Sequence, residues 1–243
     1  MKSIFPKVTK NIVFHNKSLV VTIIFIVSIL FYSLSDIAIF YPTYVYRYKM
    51  TIHLEANGRP LSGNGVFEVS SRPGPKFIRD INYGGEAPRV KGEAILIALS
   101  PRRAFVLTLR PNEGHGPGGT AMEAFTSSTP GTDAGRIELL KKLEGLNASA
   151  HLPPSSLWQA VILDDRDDPA TMQSLRIYPS GETNEPGIQV TGVEIEMTKA
   201  DITVGIEDKL HWLSSFHPGS SIGVAGKLHG LAMSLDDFKL GLK

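Results

Sequence analysis

Four aspartates stand close together in one short stretch of the chain, and carboxylates are ligands that Ca²⁺ prefers. They are Asp164, Asp165, Asp167 and Asp168. A calcium loop also needs a fixed ligand register, a glycine for its turn and a closing glutamate. Here Arg166 interrupts the aspartates, Pro169 follows them, and no glutamate closes the stretch. We therefore expect a polar loop that begins a helical turn at Asp168-Pro169, and we assign no metal or other cofactor to the chain.

The glycine-rich segment 114–119 is the second candidate site, because glycine-rich loops can hold phosphate groups. A P-loop would end in Gly-Lys followed by Ser or Thr, and this segment does not. Pro117 also breaks the Gly-x-Gly-x-x-Gly pattern of dinucleotide-binding loops. We therefore expect a flexible surface loop over residues 111–120.

The histidines are further candidates for catalysis or metal binding, and they are spread over the whole chain. They are His15, His53, His115, His151, His211, His217 and His229. No pair has the His-Glu-x-x-His spacing of zinc hydrolases, and no Gly-x-Ser-x-Gly nucleophile motif occurs. A Ser/His/Asp site that only the fold assembles stays open. Its candidates are His115, His151 and the Asp164–Asp168 loop.

The segment 203–213 combines helical spacing with an aromatic end. Ile206, Leu210 and Leu213 recur on one side of a helix, and Trp212 stands beside them. Such a stripe is typical of core packing, but Trp212 and Leu213 are also candidates for contact with a partner or a membrane. If the stripe belongs to the core, we expect it to cover the buried side of the first strand.

The composition excludes several classes of function. The net charge is +1, so the chain lacks the basic field that nucleic-acid binding requires. There are no cysteines, which excludes disulfides, zinc–thiolate sites, iron–sulfur clusters and cysteine nucleophiles. The apolar fraction of 42% and the charged fraction of 20% are those of an ordinary globular chain.

A long apolar run, residues 18–35, contains no charged residue. As a helix it would extend roughly 27 Å, close to the roughly 30 Å of the hydrocarbon core of a bilayer. A buried core helix would show a polar face, which this run lacks. A cleaved signal peptide stays open, because Ser33-Leu34-Ser35 could serve as a poor cleavage site. We favour an uncleaved transmembrane anchor over residues 18–41.

The charges on the two sides of the anchor predict its orientation. Four lysines precede it, namely Lys2, Lys7, Lys10 and Lys17. Only Arg47 and Lys49 follow it closely. By the positive-inside rule, the tail 1–17 is cytoplasmic and the domain 43–243 is periplasmic or extracellular. The expected location is the inner (cell) membrane of a bacterium, with the lipid bilayer as the partner of residues 18–41.

Residues 44–55 alternate between large apolar and polar side chains, which predicts a half-buried strand. The following Asn57-Gly58 predicts a type I′ turn, in which both central residues need positive φ. Counting back from the turn pairs Tyr48 with Phe67 and places glycines opposite other large residues. A β-hairpin is therefore expected at the start of the exported domain.

The rest of the sequence predicts a β-rich α+β fold with a mainly antiparallel sheet and two or three short helices. Further strands are expected at residues 90–99, 104–110, 160–163 and 189–199. A helix is expected from Thr132 or Asp133 to Glu144. The Pro- and Gly-rich residues 71–89 are expected to form a loop.

Several stretches of the sequence resemble an uncharacterised group of small bacterial envelope proteins. They are YRYKMTIHLEANGRPLSGNGVFEV, DDRDDPATM, TVGIEDKLHWL and SLDDFKLGL. The resemblance implies one N-terminal membrane anchor and an exported β-rich domain, and it carries no activity and no catalytic residues. His211 departs from the pattern, which would have proline there.

We therefore expect a single-pass membrane-anchored envelope protein whose domain binds or scaffolds another envelope protein without catalysis. The alternative is an envelope hydrolase with a site near His115, His151 or the Asp164–Asp168 loop. An enzyme should show a deep cleft with convergent polar groups. A binding module should instead show a shallow apolar patch or an open sheet edge.

Overall fold

The computed structural model describes most of the chain, in seven stretches. These are residues 19–29, 42–72, 87–112, 114–126, 133–217, 220–222 and 233–242. The predicted tail 1–17 and the parts 18 and 30–41 of the predicted anchor lie outside the described residues. The same holds for residues 73–86 of the predicted loop 71–89.

The chain divides into two compact units. One comprises Met1–Pro42 with Pro73–Glu86, and the other comprises Thr43–Arg72 with Ala87–Lys243. In the first unit, the described residues 19–29 form a helix. In the part of the chain that the structure describes, no helix combines the length and the apolar character needed to cross a membrane.

The second unit begins with a long antiparallel hairpin. Its strands are β1 (Tyr44–Ala56) and β2 (Arg59–Ser71). They pair in the predicted register, with Tyr48 opposite Phe67. Asn57 and Gly58 turn the chain with φ values of 50° and 75°, as the type I′ prediction requires. Alternate side chains of β1 are buried, so its tyrosines lie in the core, as predicted.

Four more strands complete a six-stranded antiparallel sheet. They are β3 (Arg89–Glu93), β6 (Ser149–Leu152), β9 (Ile188–Met197) and β12 (Lys239–Leu240). The order across the sheet is β12-β3-β2-β1-β9-β6. β9 corresponds to the strand predicted at residues 189–199 and pairs with β1. One face of the sheet is apolar and buried, and the other is polar, because side chains alternate along each strand.

A second antiparallel sheet has four strands. They are β4 (Ile95–Ala98), β5 (Ala104–Leu107), β7 (Ala160–Leu163) and β8 (Met172–Leu175), in that order. β4 and β5 pair as a second antiparallel hairpin and lie within the segments 90–99 and 104–110 that were predicted as strands. The prediction of one strand over 90–99 is wrong. The backbone N–H of Ala94 donates a hydrogen bond to the carbonyl of Phe238, and at this residue the chain leaves one sheet and enters the other. The two halves of this run belong to different sheets, since Arg89–Glu93 forms β3 and Ile95–Ala98 forms β4.

The two sheets contribute to one hydrophobic core. Phe67 from β2 and Phe105 from β5 are both completely buried in it. A Cβ atom at Gly63 would lie 2.5 Å from Cγ1 of Ile97 on β4. The glycines that the hairpin register places opposite large residues therefore make room for the facing sheet.

The described part of this unit contains short α-helices and several 3-10 turns. The α-helices are Thr120–Ala124, Asp133–Gly145 and Ile206–Lys209. The second corresponds to the helix predicted up to Glu144, and its buried Leu140 and Leu143 join the core beside β1. A β-rich fold with antiparallel sheets and short helices is thus confirmed. β10 (Ser221–Ile222) and β11 (Met233–Ser234) form a separate small pair.

The prediction of one helix over residues 203–213 is wrong in its length. The α-helix Ile206–Lys209 ends at Leu210, whose φ of −127° and ψ of 76° are not helical. A 3-10 helix, His211–Ser215, follows at once. Leu210 itself is completely buried, so its side chain is held by packing where the backbone changes direction.

The predicted packing partner of this segment is also wrong. Its stripe of apolar residues joins a second cluster with Val106 and Leu163 instead of the core side of β1. β5 and β7 are buried on both faces, so the outer face of the four-stranded sheet needs its own cover. The core side of β1 is already covered by the facing sheet and by the helix Asp133–Gly145.

Candidate functional site

The helix at residues 19–29 presents an unusual concentration of exposed apolar side chains. Thr22 and Ser28 are its two polar residues, and it has no charged one. Its large apolar side chains are between 50% and 66% exposed, in contrast to those of a buried core helix. An exposed apolar surface of this kind is typical of contact with lipid or with another apolar surface.

Three side chains, those of His115, Glu123 and Ser156, form a hydrogen-bonded set with Glu123 in the middle. His115 Nδ1 lies 3.1 Å from Glu123 Oε2, and Ser156 Oγ donates a hydrogen bond to Glu123 Oε1. The side chains of His115 and Glu123 are each 36% exposed, whereas Ser156 is buried. The structure thus brings His115, one of the predicted hydrolase candidates, together with two residues that sequence reasoning missed.

Two tyrosine hydroxyls of β1 hold the glycine-rich segment that carries His115. Tyr48 donates to the carbonyl of Pro117 at 2.7 Å, and Tyr46 donates to that of Gly118 at 3.5 Å. Burial raises the pKa of both phenols far above its ordinary value, so both remain protonated donors. The expectation of a flexible surface loop is therefore wrong for this part, since Pro117 is buried and anchored to the core sheet.

Thr120 and Asn112 fasten the two ends of the same segment. Thr120 Oγ1 donates to the carbonyl of Gly116 at 2.9 Å, at the start of the helix Thr120–Ala124. Asn112 and His115 exchange two backbone hydrogen bonds of 2.9 and 2.8 Å. The helix then places Glu123 where its carboxylate reaches His115.

The order of the three groups decides what chemistry they can do. In a Ser-His-Asp site, the imidazole lies between the hydroxyl and the carboxylate and takes the proton of serine. Here the carboxylate of Glu123 lies in the middle, so Ser156 is not activated by an imidazole. The set orients His115 through Nδ1 and leaves its Nε2 on the opposite side of the ring, where it could exchange a proton with water.

The four aspartates that were weighed as metal ligands lie in the expected polar loop, where arginines and backbone N–H groups engage them. Asp164 Oδ1 accepts a hydrogen bond from Arg103 Nε at 3.1 Å, and Gln173 donates to its Oδ2. Asp165 Oδ2 lies 3.3 Å from Arg102 Nη2. The two carboxylates thus fasten the loop after β7 to the turn between β4 and β5, which carries both arginines.

The remaining two aspartates of this loop differ in role. Asp168 Oδ1 accepts the N–H of Ala170 at 2.9 Å and caps the 3-10 helix Pro169–Thr171, as the predicted Asp168-Pro169 start implies. Asp167 is exposed. Over the described residues, no three His, Asp or Glu side chains are grouped so that they could hold a metal ion.

His151 lies apart from this loop, on the polar face of the six-stranded sheet. It is exposed on the edge strand β6, where its register partner on β9 is Glu194. The neighbouring strands carry Lys49 and Glu196, whose charged groups lie 3.7 Å apart. His151 is therefore part of a charged, open surface.

The predicted partner-contact residues Trp212 and Leu213 belong to the second hydrophobic cluster. Leu213 is completely buried. Trp212 Nε1 donates to the carbonyl of Arg166 at 2.8 Å, and its ring packs edge-on against Phe216 and Phe238. The indole thus ties the aspartate loop to the C-terminal segment.

Glu93 is a buried carboxylate at the end of β3. It is 4% exposed, and its Oε2 accepts the N–H of Ile206, the first residue of a helix, at 2.7 Å. Burial raises the pKa of this carboxyl above its ordinary value, although the Ile206 N–H and the Lys239 ammonium oppose the shift.

Glu68 is the opposite case, on the polar face of the same sheet. Lys91 Nζ and Arg47 Nε each lie 2.9 Å from one of its oxygens. The hydrogen bond from Lys91 is the largest influence and, with Arg47, lowers the pKa of Glu68. This carboxylate is held in its charged form.

Comparisons with known proteins give no family for this chain. No protein-family model matches it, and no curated protein and no solved structure is significantly similar to it. Its function must therefore be inferred from its own residues.

Proposed function

We propose that this chain is a single-pass, membrane-anchored protein of the bacterial envelope whose β-rich domain binds another envelope protein without catalysis. The observation that carries the anchoring is the helix at residues 19–29, with its uncharged sequence and exposed apolar side chains. Transfer of one large apolar side chain out of water is worth about 1.5–3 kcal/mol. A helix with nine such side chains therefore favours the bilayer strongly.

In this proposal the anchor extends over residues 18–41, the tail 1–17 is cytoplasmic, and the domain 43–243 lies outside the inner membrane. Lysines concentrate before the anchor, which supports this orientation. Proteolysis of intact spheroplasts tests the orientation. The domain should be degraded while a tag on residue 1 survives, and the reverse pattern contradicts it.

The polar face of the six-stranded sheet is the surface that we assign to the partner. It is built from the long strands β1, β2 and β9, which makes it rigid. Arg47 pairs with Glu68 at 2.9 Å and Lys49 with Glu196 at 3.7 Å, so charges of both signs alternate across it. Alternating charge favours specificity for one partner more than raw affinity.

A photo-crosslinking residue at Thr51, in the middle of this face, tests the assignment. In membranes, it should give a discrete adduct with a second protein. The control is the same residue at exposed Tyr178, outside this sheet. Equal adducts from both positions, or no adduct from Thr51, would contradict this surface.

Flotation on lipid vesicles tests the anchoring. Ile24→Asp with Val27→Asp should abolish flotation, because each charge near the bilayer centre costs about 2.5–3.5 kcal/mol. The matched control is Val45→Asp with Val204→Asp, which changes two exposed valines outside the helix and should float like the native chain. Loss of flotation in the control, or its persistence in the first variant, would contradict an anchor at these residues.

The second candidate function is hydrolysis, and one observation favours it. The imidazole of His115 is oriented by Glu123, which in turn is fixed by buried Ser156. Such an imidazole can take a proton from an attacking water at Nε2 and return it to the leaving group. This site would cleave an ester or amide by water attack, with no covalent intermediate on Ser156.

Release of p-nitrophenol from its acetate ester by the full chain tests this candidate. His115→Ala and Glu123→Gln should each lower the rate, and His53→Ala, on the polar sheet face, should not. A rate above background that is equal in all four proteins would exclude His115 as its source. If the native chain releases p-nitrophenol no faster than background, esters of this class are not its substrates.

A further inference from the structure

The strand β6 (Ser149–Leu152) forms one edge of the six-stranded sheet. Along an antiparallel strand, the backbone N–H and C=O groups of successive residues point alternately to the two sides. The N–H of Met197 on β9 donates to the carbonyl of Ala148 at 2.9 Å, so Ala148 and every second residue after it face β9. The backbone groups of Ser149 and His151 therefore point outward, away from the sheet.

These four outward groups are open to a further strand. Among the residues that the structure describes, no group binds them, and both Ser149 and His151 are exposed. The helix Thr120–Ala124 contacts β6 and β9 together and buries Ala121 in the core, so it lies over the face of the sheet and leaves the edge uncovered. A free row of strand N–H and C=O groups is a template for pairing with another strand.

We propose that β6 pairs with β6 of a second copy of this chain, antiparallel and about a twofold axis at Ala150. In this register, Ser149 of each copy lies opposite His151 of the other. The outward groups of the two copies then form four hydrogen bonds, and none of them is left over. The pairing joins the two six-stranded sheets into one sheet and makes their polar faces continuous. It concerns the β-rich domain alone and rests neither on the anchoring nor on the partner surface proposed above.

Other antiparallel registers of the same edge fit less well. A pair centred on His151 would place Ser149 opposite Pro153, which has no N–H. A pair centred on Ser149 would place His151 opposite Asn147, which lies before β6 begins. A shift by a single residue would bring the core side of one copy to the polar side of the other. The register centred on Ala150 is therefore the one that a twofold, self-complementary contact favours.

The side chains are also compatible with this register. On the polar face, the directly opposed pair is serine with histidine, which brings no two like charges together. On the core side, Ala150 lies opposite its copy, and a methyl group fits the close approach of about 4.5 Å between Cα atoms in such a pair. Glu194 and Glu196 of the two copies lie three strand spacings apart, about 14 Å. At physiological salt this exceeds the Debye length of about 8 Å, so their repulsion is largely screened.

The edges of the four-stranded sheet are less suited to a second copy. On β4, the residue between the outward-facing ones is Ile97, whose side chain already packs on β2 at Gly63. On β8, Asn184 binds both the N–H and the carbonyl of Arg176. At the far edge of the six-stranded sheet, β12 has only two residues.

The strand β2 is also open on its outer side before it meets β3. Thr203 binds the N–H and the carbonyl of Val66 on this side. A copy paired about Gly63 would place its Pro60 opposite Val66, where Thr203 already lies. In the described part of the chain, β6 meets no such obstacle.

The absence of cysteine allows the register to be measured with the full-length chain in detergent micelles. Ala150→Cys should give a disulfide-linked dimer on mild oxidation, because the opposed Cα atoms lie within the ~4.4–6.8 Å that a disulfide spans. A mixture of Ser149→Cys and His151→Cys chains should give the mixed dimer. His151→Cys alone should not, since the two cysteines would lie diagonally at about 7–8 Å. The control is His53→Cys, which is exposed on the inner strand β1 and should stay unlinked.

A proline variant tests the hydrogen bonds themselves. Ser149→Pro removes two of the four, one N–H from each copy, and an edge strand tolerates proline where the N–H points outward. The dissociation constant of the dimer, measured by sedimentation equilibrium, should rise at least roughly fivefold. The matched control is Ala98→Pro, which removes an outward N–H at the edge of β4 and should leave the dimer unchanged. Unchanged thermal melting of both variants shows that they remain folded.

Three results would overturn the pairing through β6. The first is a native chain that sediments as a monomer. The second is a dimer that Ser149→Pro leaves unchanged although it folds, because the contact would then lie elsewhere in the chain. The third is a disulfide that forms as readily from His53→Cys as from Ala150→Cys, which random collision would explain. If Ser149→Pro fails to fold, the mixed disulfide between Ser149→Cys and His151→Cys chains decides, and its absence contradicts the register.

Discussion

Gly63 offers the sharpest test of how the two sheets meet. A methyl group at this position would lie 2.5 Å from Ile97 Cγ1 and 3.2 Å from its Cδ1. Real side chains do not approach that closely, so the Ile97 side chain or one of the strands β2 and β4 must shift. Overpacking of a core costs about 1–3 kcal/mol, and we expect Gly63→Ala to lower the free energy of unfolding by that amount.

A double-mutant cycle with Ile97 separates this clash from a general effect of losing glycine. Ile97→Ala alone should cost about 2–5 kcal/mol, because it leaves a cavity. In the double variant, the methyl group that Gly63→Ala introduces occupies part of that cavity. The double variant should therefore be more stable than the sum of the single changes predicts, by about 1–3 kcal/mol.

Denaturant unfolding of the full chain in detergent micelles measures these free energies. Gly145→Ala is the matched control, because a Cβ atom there has no neighbour within 4 Å. It should change stability by less than about 1 kcal/mol. Strict additivity of Gly63→Ala and Ile97→Ala, or a Gly63→Ala variant as stable as the control, would refute the contact between β2 and β4.

Three further predictions concern named side chains. Leu210→Ala should cost about 2–5 kcal/mol in the same unfolding assay, because Leu210 is completely buried, whereas exposed Val204→Ala should cost under about 0.5 kcal/mol. The raised pKa of Glu93 means that stability falls as pH rises from 4.5 through its folded pKa, so Glu93→Gln should remove that fall. A Glu93→Gln variant with the native pH profile would contradict the burial effect. The lowered pKa of Glu68 means that its contribution is complete above pH 4.5 and is lost as pH falls through the folded pKa. Glu68→Gln should therefore lower the free energy of unfolding at neutral pH and reduce the loss of stability between neutral and acid pH. Thermal melts identical to those of the native chain at neutral and at acid pH would contradict this.

The parts of the fold that were predictable are those fixed by local pattern. The period-two alternation from Tyr44 and the Asn57-Gly58 turn together determine which residues of β1 and β2 face each other. Asp168-Pro169 likewise predicts its own capped turn, since the cap and the first helical residue are adjacent in sequence. In each case the interacting residues lie close together in the chain.

The errors arise where distant segments decide the outcome. The sequence of residues 90–99 does not reveal that Ala94 marks the passage between two sheets. The apolar stripe at Ile206 and Leu210 predicts burial, but it does not identify which sheet face needs a cover. β5 and β7 are apolar on both faces, so each face of their sheet must be covered by another element. This requirement can be recognised only when both sheets are known.

The candidate site was less predictable than the fold. His115 and Glu123 are eight residues apart and Ser156 lies 33 residues beyond Glu123, so no helix or strand period relates them. They meet because Tyr46 and Tyr48 fix the glycine-rich segment against the sheet. A sequence signal for this contact would have been the hydroxyl groups on the buried side of β1, which need acceptors once they are buried.

Extraction of native membranes at alkaline pH, followed by N-terminal sequencing of the retained protein, tests the membrane anchor most directly. The full-length chain should stay in the membrane pellet after carbonate treatment and should still contain residues 19–29. Ile24→Asp with Val27→Asp should move it to the supernatant. Release of the native protein by carbonate, or a mature protein that begins at Asp36, would contradict an anchor at residues 18–41.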